Sequence, residues 1–354
     1  MFRYLLCLFG ILVTIPALAL TTLAFVTPIT ASGVIYLLGC WLIAVGLSFA
    51  PWRLKYHLVL MVSGVIAIVV MAGLRLSLIR NQTSSVKVIV LPSAKETRWV
   101  NWLIDEEDSV LFGEGILYRL GGVSAHEHDT IVPALSTAYT NARSTNGAGA
   151  SPFLSTYLGF QKPTAFDAIV IEPVVERPSP IGVVFLHGFM GNVAIQCWQI
   201  AQAAGKLGAV TVCPSTSWMG DWWKPDGEAI IQATLSYLRG RGIQRLYLGG
   251  YSNGGNGIGS LISMLATEPG LRGLFFIAGM RDGAGVRETN LPVLVIQGRE
   301  DERMPVEAAR RFVSEVGKLA TYVELEADHF LIVKQSRLVQ AAISIWLEDQ
   351  ELDK

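Results

Sequence analysis

The sequence predicts an α/β protein, with a mostly parallel central sheet and helices on both faces, preceded by three transmembrane helices. In its carboxyl-terminal half, short apolar segments alternate with amphipathic ones, which is the pattern of parallel strands joined by helices. One apolar segment ends in a glycine-rich turn that leads directly into a helix. The amino-terminal part instead holds three long apolar runs.

Three segments follow from this pattern. Residues 1–81 are expected to form a membrane anchor with three transmembrane helices. Residues 82–165 are expected to be an irregular amino-terminal part, or a cover, of the domain that follows. Residues 166–354 hold the regular alternation and are expected to be the α/β core.

The composition points to lipid and excludes nucleic acid. A hydrophobic fraction of 51% in 354 residues, with a mean hydropathy of +0.43, is high for a soluble enzyme. The net charge of -1 offers no basic surface to a polyanion. The four cysteines do not form the framework of a disulfide-rich domain, and whether Cys197 and Cys213 pair cannot be read from the sequence.

The apolar runs extend from about Leu5 to Val26, Ala31 to Ala50 and His57 to Leu78. Each is close to the about 20 residues that a helix needs to cross a bilayer. For the first run, a cleaved signal peptide is the alternative, since Arg3 precedes it and Ala17-Leu18-Ala19 resembles a cleavage site. Because two further spans follow at once, we expect a multi-pass integral membrane protein in contact with the lipid bilayer.

Basic residues near the ends of the spans indicate the orientation. Arg3 and the linker 51–55, which contains Arg and Lys, place the amino end and that linker on the cytoplasmic side. Everything after the third span is then extracytoplasmic. Arg75, Arg80 and Lys87 fall on the outer side in this arrangement and argue against it.

From about residue 82 the composition becomes that of a soluble domain. The segments Val86–Leu91 and Ala168–Ile171 are rich in β-branched residues and are predicted strands. The polar stretch Ser93–Thr164 lies between them, and it either holds helices packed against the core or covers the site. Within it, Ser144–Ser151 has the composition of a loop.

A short cluster in this stretch resembles a metal site. His126 and His128 are spaced so that both imidazoles lie on one side of a strand, next to Glu127 and Asp129. No further histidine or cysteine cluster completes a coordination sphere. We therefore expect a solvated polar loop, with no metal and no cofactor.

The core alternates strands and helices in sequence. The predicted strands are Val183–Leu186, Val210–Cys213, Leu246–Leu248, Leu274–Ile277, Val293–Ile296 and Tyr322–Leu325. The predicted helices are Val193–Leu207, Glu228–Leu238, Val306–Val316 and Ser336–Glu348. Ligands of such sheets bind beyond the carboxyl ends of the strands, which is where the motifs below fall.

The most informative motif is Gly250-Tyr251-Ser252-Asn253-Gly254, between a strand and a helix. The glycines allow a sharp turn that projects the serine hydroxyl at the edge of the sheet, so Ser252 is the candidate nucleophile. The alternative is a glycine-rich turn in which the serine only caps the helix.

A nucleophilic serine needs a base. The chain has five histidines, and only His329 follows the last strand, where a loop can bring its imidazole over the turn. His57 lies at the membrane, His126 and His128 in the irregular stretch, and His187 in the loop after an early strand.

The base needs a carboxylate to orient it. The loop after the strand Val293–Ile296 offers three, and Asp301 is favoured by its offset from the glycine that ends the strand. Glu300 and Glu302 are the alternatives. Asp328 is a poorer candidate because adjacent side chains rarely point at one another.

The reaction also needs two backbone N–H donors for an oxyanion. One is expected from Asn253, directly after the serine, and the other from Phe189 or Met190 in the loop that begins His187-Gly188. The alternative is a plain turn between strand and helix.

Together, Val184–Gly191, Gly250–Gly254, Gly298–Pro305 and His329 resemble the α/β-hydrolase fold superfamily, with its motifs in the family's order. The resemblance covers roughly residues 166 to 349 and implies a serine hydrolase that forms an acyl-enzyme. The three spans and residues 93–164 are not part of it.

The fold does not fix the substrate. Trp218, Trp222 and Trp223 follow a strand on the side of the site, where they line an acyl or aromatic pocket, pack under a loop or contact the membrane interface. We expect a membrane-anchored hydrolase of carboxylic esters, acting on a small-molecule or lipid-like ester. The alternatives are a peptidase or thioesterase with the same triad, or a non-catalytic binding module.

Overall fold

The computed structural model describes residues 4–5, 8–12, 14, 21, 29–49, 56–80, 85–146, 149–175 and 179–352. These residues form two compact units. The first comprises Met1–Gln82 and Trp102–Ser136, and the second Thr83–Asn101 and Thr137–Lys354. The division departs from the three predicted segments, because residues 102–136 belong with the amino-terminal unit.

Two helices of the first unit are long and apolar enough to span a bilayer. Helix α1 (Ala31–Phe49) has 19 residues, and helix α2 (His57–Arg80) contains a 22-residue apolar stretch, His57–Leu78. They coincide with the second and third predicted spans. The first predicted span, Leu5 to Val26, lies mostly outside the described residues.

Polar side chains join the ends of these helices to residues 102–108 of the same unit. Arg75, buried in α2, donates from Nε to the Trp102 carbonyl oxygen (3.1 Å) and forms an ion pair with Asp105 (3.4 Å). The Thr30 hydroxyl donates to Asp108 (2.6 Å) at the start of α1. Arg75 is therefore a paired structural charge, which explains its place in an apolar helix.

The stretch Ser93–Thr164, for which helices were one of the two alternatives, contains α3 (Glu106–Arg119) and α4 (Ala125–Asn146). The cluster from His126 to Asp129 was expected to be a polar loop, and it lies instead in the first turns of α4. His128 Nδ1 is 2.9 Å from Glu114 Oε1. Burial raises the pKa of Glu114, although the hydrogen bond to His128 opposes the shift. Among the described residues, no group of three metal-ligating side chains is close enough to hold an ion.

The second unit is built on a nine-stranded sheet in the order β2-β1-β3-β5-β4-β6-β7-β8-β9. The strands are β1 (Val86–Leu91), β2 (Lys95–Glu96), β3 (Phe166–Ile171), β4 (Ile181–Leu186), β5 (Val210–Pro214), β6 (Arg245–Tyr251), β7 (Leu271–Ile277), β8 (Val293–Gly298) and β9 (Ala320–Leu325). The six strands from β5 to β9 in that order are parallel, and the three at the other edge pair antiparallel. The predicted mostly parallel sheet is confirmed.

Helices connect the strands of this unit. They are α5 (Phe153–Tyr157), α6 (Ala194–Ala204), α7 (Pro225–Gly240), α8 (Asn253–Ser260), α9 (Ile262–Leu265), α10 (Gly283–Glu288), α11 (Val306–Val316), α12 (Leu331–Lys334) and α13 (Ser336–Leu352). Alternate residues of a strand face opposite sides of the sheet. On β6, Leu246 and Leu248 share a core with Leu238 of α7, whereas the Tyr247 ring contacts Trp346 of α13. Helices thus cover both faces.

One disulfide joins α6 to β5. Cys197 and Cys213 are fully buried, with their sulfur atoms 2.06 Å apart. This settles the pairing that the sequence left open. The bond connects the elements that carry two loops at the carboxyl edge of the sheet: residues 187–193 precede α6, and residues 215–224 follow β5.

Candidate active site

The candidate site lies at the carboxyl edge of the parallel strands. Ser252 follows β6 directly, Asp301 follows β8 and His329 follows β9. His187 and Ser215 directly follow β4 and β5. Because the carboxyl ends of parallel strands meet at one edge, residues far apart in sequence come together there.

The turn after β6 has a backbone that few residues adopt. Ser252 has φ 53° and ψ -118°. A Cβ atom on Gly250 would lie 2.4 Å from the carbonyl carbon of Gly254, and one on Gly254 would lie 2.0 Å from the Leu186 carbonyl oxygen. Only glycine fits at either position, and the absence of a Cβ atom at both allows the tight turn. The serine side chain makes no capping hydrogen bond to the helix, which argues against the alternative capping role.

The structure brings Ser252, His329 and Asp301 into one line of hydrogen bonds. His329 Nε2 is 3.0 Å from Ser252 Oγ, and His329 Nδ1 is 2.8 Å from Asp301 Oδ2. The histidine and the aspartate are buried. The Tyr251 hydroxyl donates to the His329 carbonyl oxygen (3.0 Å) and so fixes the backbone that carries this imidazole. This is the arrangement that serine nucleophiles require.

Both carboxylate oxygens of Asp301 accept hydrogen bonds. Its Oδ1 accepts from the backbone amides of Arg303 and Met304, each at 2.9 Å. Its Oδ2 accepts from Gln297 Nε2 (3.1 Å) as well as from the histidine. These donors hold the carboxylate in place and compensate its buried charge.

The alternative carboxylates lie elsewhere. Glu300 and Glu302 are exposed. Asp328, the neighbour of His329 in sequence, accepts from Lys334 Nζ (2.6 Å) and from the Phe330 amide (3.0 Å). Of the four carboxylates considered, only Asp301 meets the imidazole.

The expected oxyanion donors lie beside the serine. Asn253 is the first residue of α8, where a backbone N–H has no acceptor within the helix. Its side chain donates to the Met219 carbonyl oxygen (2.8 Å) and holds the loop after β5. Within the described part of the chain, the amides of Phe189 and Met190 donate to no residue, and Met190 has φ 77°. Both remain candidates for the second donor.

His187 is a residue of the site that sequence reasoning passed over. Its Nδ1 is 2.7 Å from the Gly188 carbonyl oxygen, and its Nε2 accepts from the Thr216 amide (3.2 Å). These two bonds fix the tautomer with the proton on Nδ1. Burial lowers the pKa of His187 to about 4, against the opposing effect of the bond to Gly188. The neutral imidazole thus joins the loop after β4 to the loop after β5.

Trp222 corrects one prediction of a substrate contact. Its side chain is fully buried, its Nε1 donates to the His187 carbonyl oxygen (2.8 Å), and its ring meets the His187 ring edge to face (5.1 Å). The buried indole of Trp222 therefore packs in the core beneath the loop after β4 and holds that loop in place. Trp218 and Trp223 are 40% and 41% exposed, respectively, so both remain open to a ligand.

Solved structures resemble the chain, but no protein-family model and no curated protein matches it. Est1E from Butyrivibrio proteoclasticus matches 53% of this chain and 95% of its own, with a TM-score of 0.46 and 16% identity. The esterase domain of a Rhodothermus marinus protein matches 51% and 92%, with a TM-score of 0.43 and 16% identity. A serine hydrolase without a lid from Xanthomonas campestris matches 52% and 90%, with a TM-score of 0.41 and 22% identity. These likenesses concern the fold alone.

Replacing the carboxylate of Asp301 tests the site geometry. In Asp301→Asn, the amide no longer fixes the histidine tautomer, so we expect kcat to fall about a thousandfold or more with little change in KM. Steady-state hydrolysis of a chromogenic ester measures it. The matched control is Asp328→Asn, the same chemical change one residue from the histidine, which should keep most of the activity. Equal losses in the two variants would contradict the assignment of Asp301.

The buried imidazole predicts a pH dependence of stability. Between pH 6.5 and about 4 the unfolded chain protonates at His187 and the folded chain does not. The free energy of unfolding should therefore be highest above pH 6.5 and lose about 3 kcal/mol by pH 4 through this residue. The pH dependence of thermal unfolding, followed by tryptophan fluorescence, should be shallower in His187→Gln. His126→Gln, at an exposed histidine, should retain the wild-type slope; identical slopes in all three proteins would refute the prediction.

Proposed function

We propose that the chain is a membrane-anchored serine hydrolase that cleaves carboxylic esters through an acyl-enzyme intermediate. The observation that carries the proposal is the line of hydrogen bonds from Asp301 through His329 to Ser252 Oγ. Its place on a strained turn at the sheet edge supports it further, because the hydroxyl there faces the space beyond the strands.

In the acylation step, Ser252 Oγ attacks the carbonyl carbon of the ester while His329 Nε2 takes the hydroxyl proton. The carbonyl oxygen becomes an oxyanion, which the amides of Asn253 and of Phe189 or Met190 stabilise. His329 then gives the proton to the leaving alkoxide, and an alcohol departs. Asp301 keeps the imidazole in the required tautomer and stabilises its positive charge.

Deacylation runs through the same groups. His329 Nε2 accepts a proton from water, whose oxygen attacks the acyl carbon and forms a second oxyanion at the same donors. Collapse of this intermediate returns the proton to Ser252 Oγ and releases the carboxylic acid. One ester and one water therefore give one alcohol and one acid.

The same triad also serves a peptidase or a thioesterase, which are the second candidates. Esters are favoured because an alkoxide leaves more easily than an amide nitrogen, so the site needs less assistance to the leaving group. The intact hydrogen-bonded line favours catalysis over a non-catalytic binding module. For substrate contact we propose the exposed Trp218 and Trp223, which suit a small-molecule or lipid-like ester.

We place the catalytic unit on the extracytoplasmic side of the membrane. The buried Cys197–Cys213 disulfide supports this location, because disulfides persist in oxidising compartments. Arg75 is one of the three basic residues that argue against the extracytoplasmic location. Its ion pair with Asp105 compensates the positive charge of its guanidinium. Both helices of the anchor that the structure describes are long enough to cross a bilayer, which supports membrane anchoring.

The central test is hydrolysis of 4-nitrophenyl esters, from acetate to palmitate, by the whole chain in detergent micelles. The whole chain is required because residues 102–136 belong with the membrane unit. We expect turnover that falls to background in Ser252→Ala. Folded protein without serine-dependent turnover of any ester would exclude the esterase, and peptide and thioester substrates would then distinguish the second candidates.

The proposed location predicts the state of the thiols in the native cell. If membranes from these cells are dissolved in denaturant with a maleimide-polymer reagent, Cys197 and Cys213 should react only after reduction. The Cys197→Ser and Cys213→Ser double variant should show no gain of label on reduction. Full labelling of the wild-type pair before reduction would contradict an oxidising compartment.

A further inference from the structure

Four aromatic side chains of the second unit form a continuous row, which we call the aromatic wall: Phe153, Tyr157, Trp218 and Phe189. The rings of Phe153 and Tyr157 stack with centroids 4.6 Å apart. Tyr157 stacks on Trp218 at 6.0 Å, and Trp218 meets Phe189 edge to face at 5.4 Å. Three separate segments contribute to the row: α5, the loop after β4 and the loop after β5.

The wall begins beside the candidate nucleophile. Gly188, which precedes Phe189, lies so close to the turn that a Cβ on it would be 3.0 Å from Ser252 Cβ. A Cβ on Gly191 would lie 3.2 Å from Thr156 Cγ2 and 3.8 Å from the Trp218 Cα. The loop that holds the candidate oxyanion donors is therefore in contact with both α5 and the loop that bears Trp218.

The wall is open to a ligand, unlike the core beneath it. Phe189, Trp218 and Tyr157 are 39%, 40% and 43% exposed, whereas the neighbouring Trp222 is fully buried. Large aromatic rings left in water next to a reactive group are a favourable surface for an apolar ligand. An ester held at Ser252 would cover this surface.

The position of the wall indicates which half of the ester it meets. His329 must protonate the leaving alkoxide, so the alcohol part lies toward the imidazole. The rings that contact this imidazole are Tyr251 (5.3 Å) and Phe330 (5.9 Å), and neither belongs to the wall. The wall starts instead at Phe189, in the loop of the oxyanion donors, and so faces the acyl part.

Two polar atoms of the wall distinguish an aromatic acyl group from an alkyl chain. Within the described part of the chain, the Tyr157 hydroxyl and the Trp218 indole N–H have no hydrogen-bond partner. A tyrosine hydroxyl is protonated at neutral pH and is therefore a donor, and partial burial raises the pKa of Tyr157 further. An alkyl chain would displace water from these donors and offer nothing in return. The face of an aromatic ring accepts weak hydrogen bonds from O–H and N–H groups.

We propose that the aromatic wall binds the acyl part of the substrate and that this part carries an aromatic ring, so that the enzyme prefers esters of aryl-bearing carboxylic acids. The proposal rests on the ester hydrolysis proposed above. Tyr157 and Trp218 are the specificity-determining residues, because they offer both ring surface and free donors. Tyr157 lies in α5, outside the part of the sequence that resembles a known family.

Two esters isolate the contribution of the ring. Methyl 3-phenylpropanoate and methyl 3-cyclohexylpropanoate share the carbonyl, the leaving group and the ring size, and neither ring is conjugated to the ester. Contacts between the phenyl ring and the rings of the wall stabilise the bound ester beyond the effect of buried apolar area alone. We therefore expect kcat/KM of the whole chain to favour the phenyl ester about 2- to 10-fold, measured by pH-stat titration. Methyl acetate, which does not reach the wall, reports the activity of the triad alone.

Variants assign the preference to the wall. Trp218→Leu keeps an apolar side chain but removes the ring and the donor, so the phenyl-to-cyclohexyl ratio of kcat/KM should fall to about one. Trp218→Phe should retain part of the preference. Trp99→Leu, at a 67% exposed tryptophan outside the site, should leave the ratio unchanged.

The outcomes separate this proposal from the one on which it rests. A ratio of one or below in the wild type, with serine-dependent turnover of methyl acetate, overturns the aromatic preference and leaves the hydrolase intact. Absence of Ser252-dependent turnover of every ester overturns the hydrolase. In that case, binding to Ser252→Ala measured by calorimetry still decides the ligand class: equal affinity for the two rings refutes the wall as an aromatic site.

Discussion

The strained turn at Ser252 is the constraint on which the rest of the site depends. A backbone φ of 53° is energetically unfavourable for a serine, and Ser252 keeps it only because contacts with the surrounding backbone hold the turn in this conformation. Gly250 and Gly254 allow β6 and α8 to approach each other closely and bring the turn against the Leu186 carbonyl at the end of β4. The same contact places the loop after β4 beside the hydroxyl. Ser252 and the expected oxyanion donors are therefore positioned by one local fold.

Buried hydrogen bonds and a disulfide hold the elements around this turn in place. His187 and Trp222 join the loops after β4 and β5. The Cys197–Cys213 disulfide joins α6, which follows the first loop, to β5, which precedes the second. The charged member of the site, Asp301, has several donors to its two oxygens. His187, the Trp222 indole N–H and the Asp301 carboxylate are buried, and each has a hydrogen-bond partner that helps to hold the site in its geometry.

Local signals made two features predictable: the parallel half of the sheet, and the three residues joined by the line of hydrogen bonds. Alternating apolar segments fix the strands, and Ser252, Asp301 and His329 each follow a strand closely. Contacts between distant segments carry no such signal. The stacking of Tyr157 on Trp218 joins residues 61 positions apart, and the first turns of α4 look like a loop because polar residues dominate them. For His187, a buried imidazole, the only signal was its place after β4.

The most direct measurement of the central claim is the site of covalent modification by an organophosphate ester. Such a reagent reacts with a serine whose proton is taken by a base and whose oxyanion is stabilised. Peptide mass spectrometry of the treated whole chain should find one phosphoryl adduct, on Ser252, and His329→Ala should remain unmodified. An unmodified folded protein, or an adduct at another residue, would contradict the account.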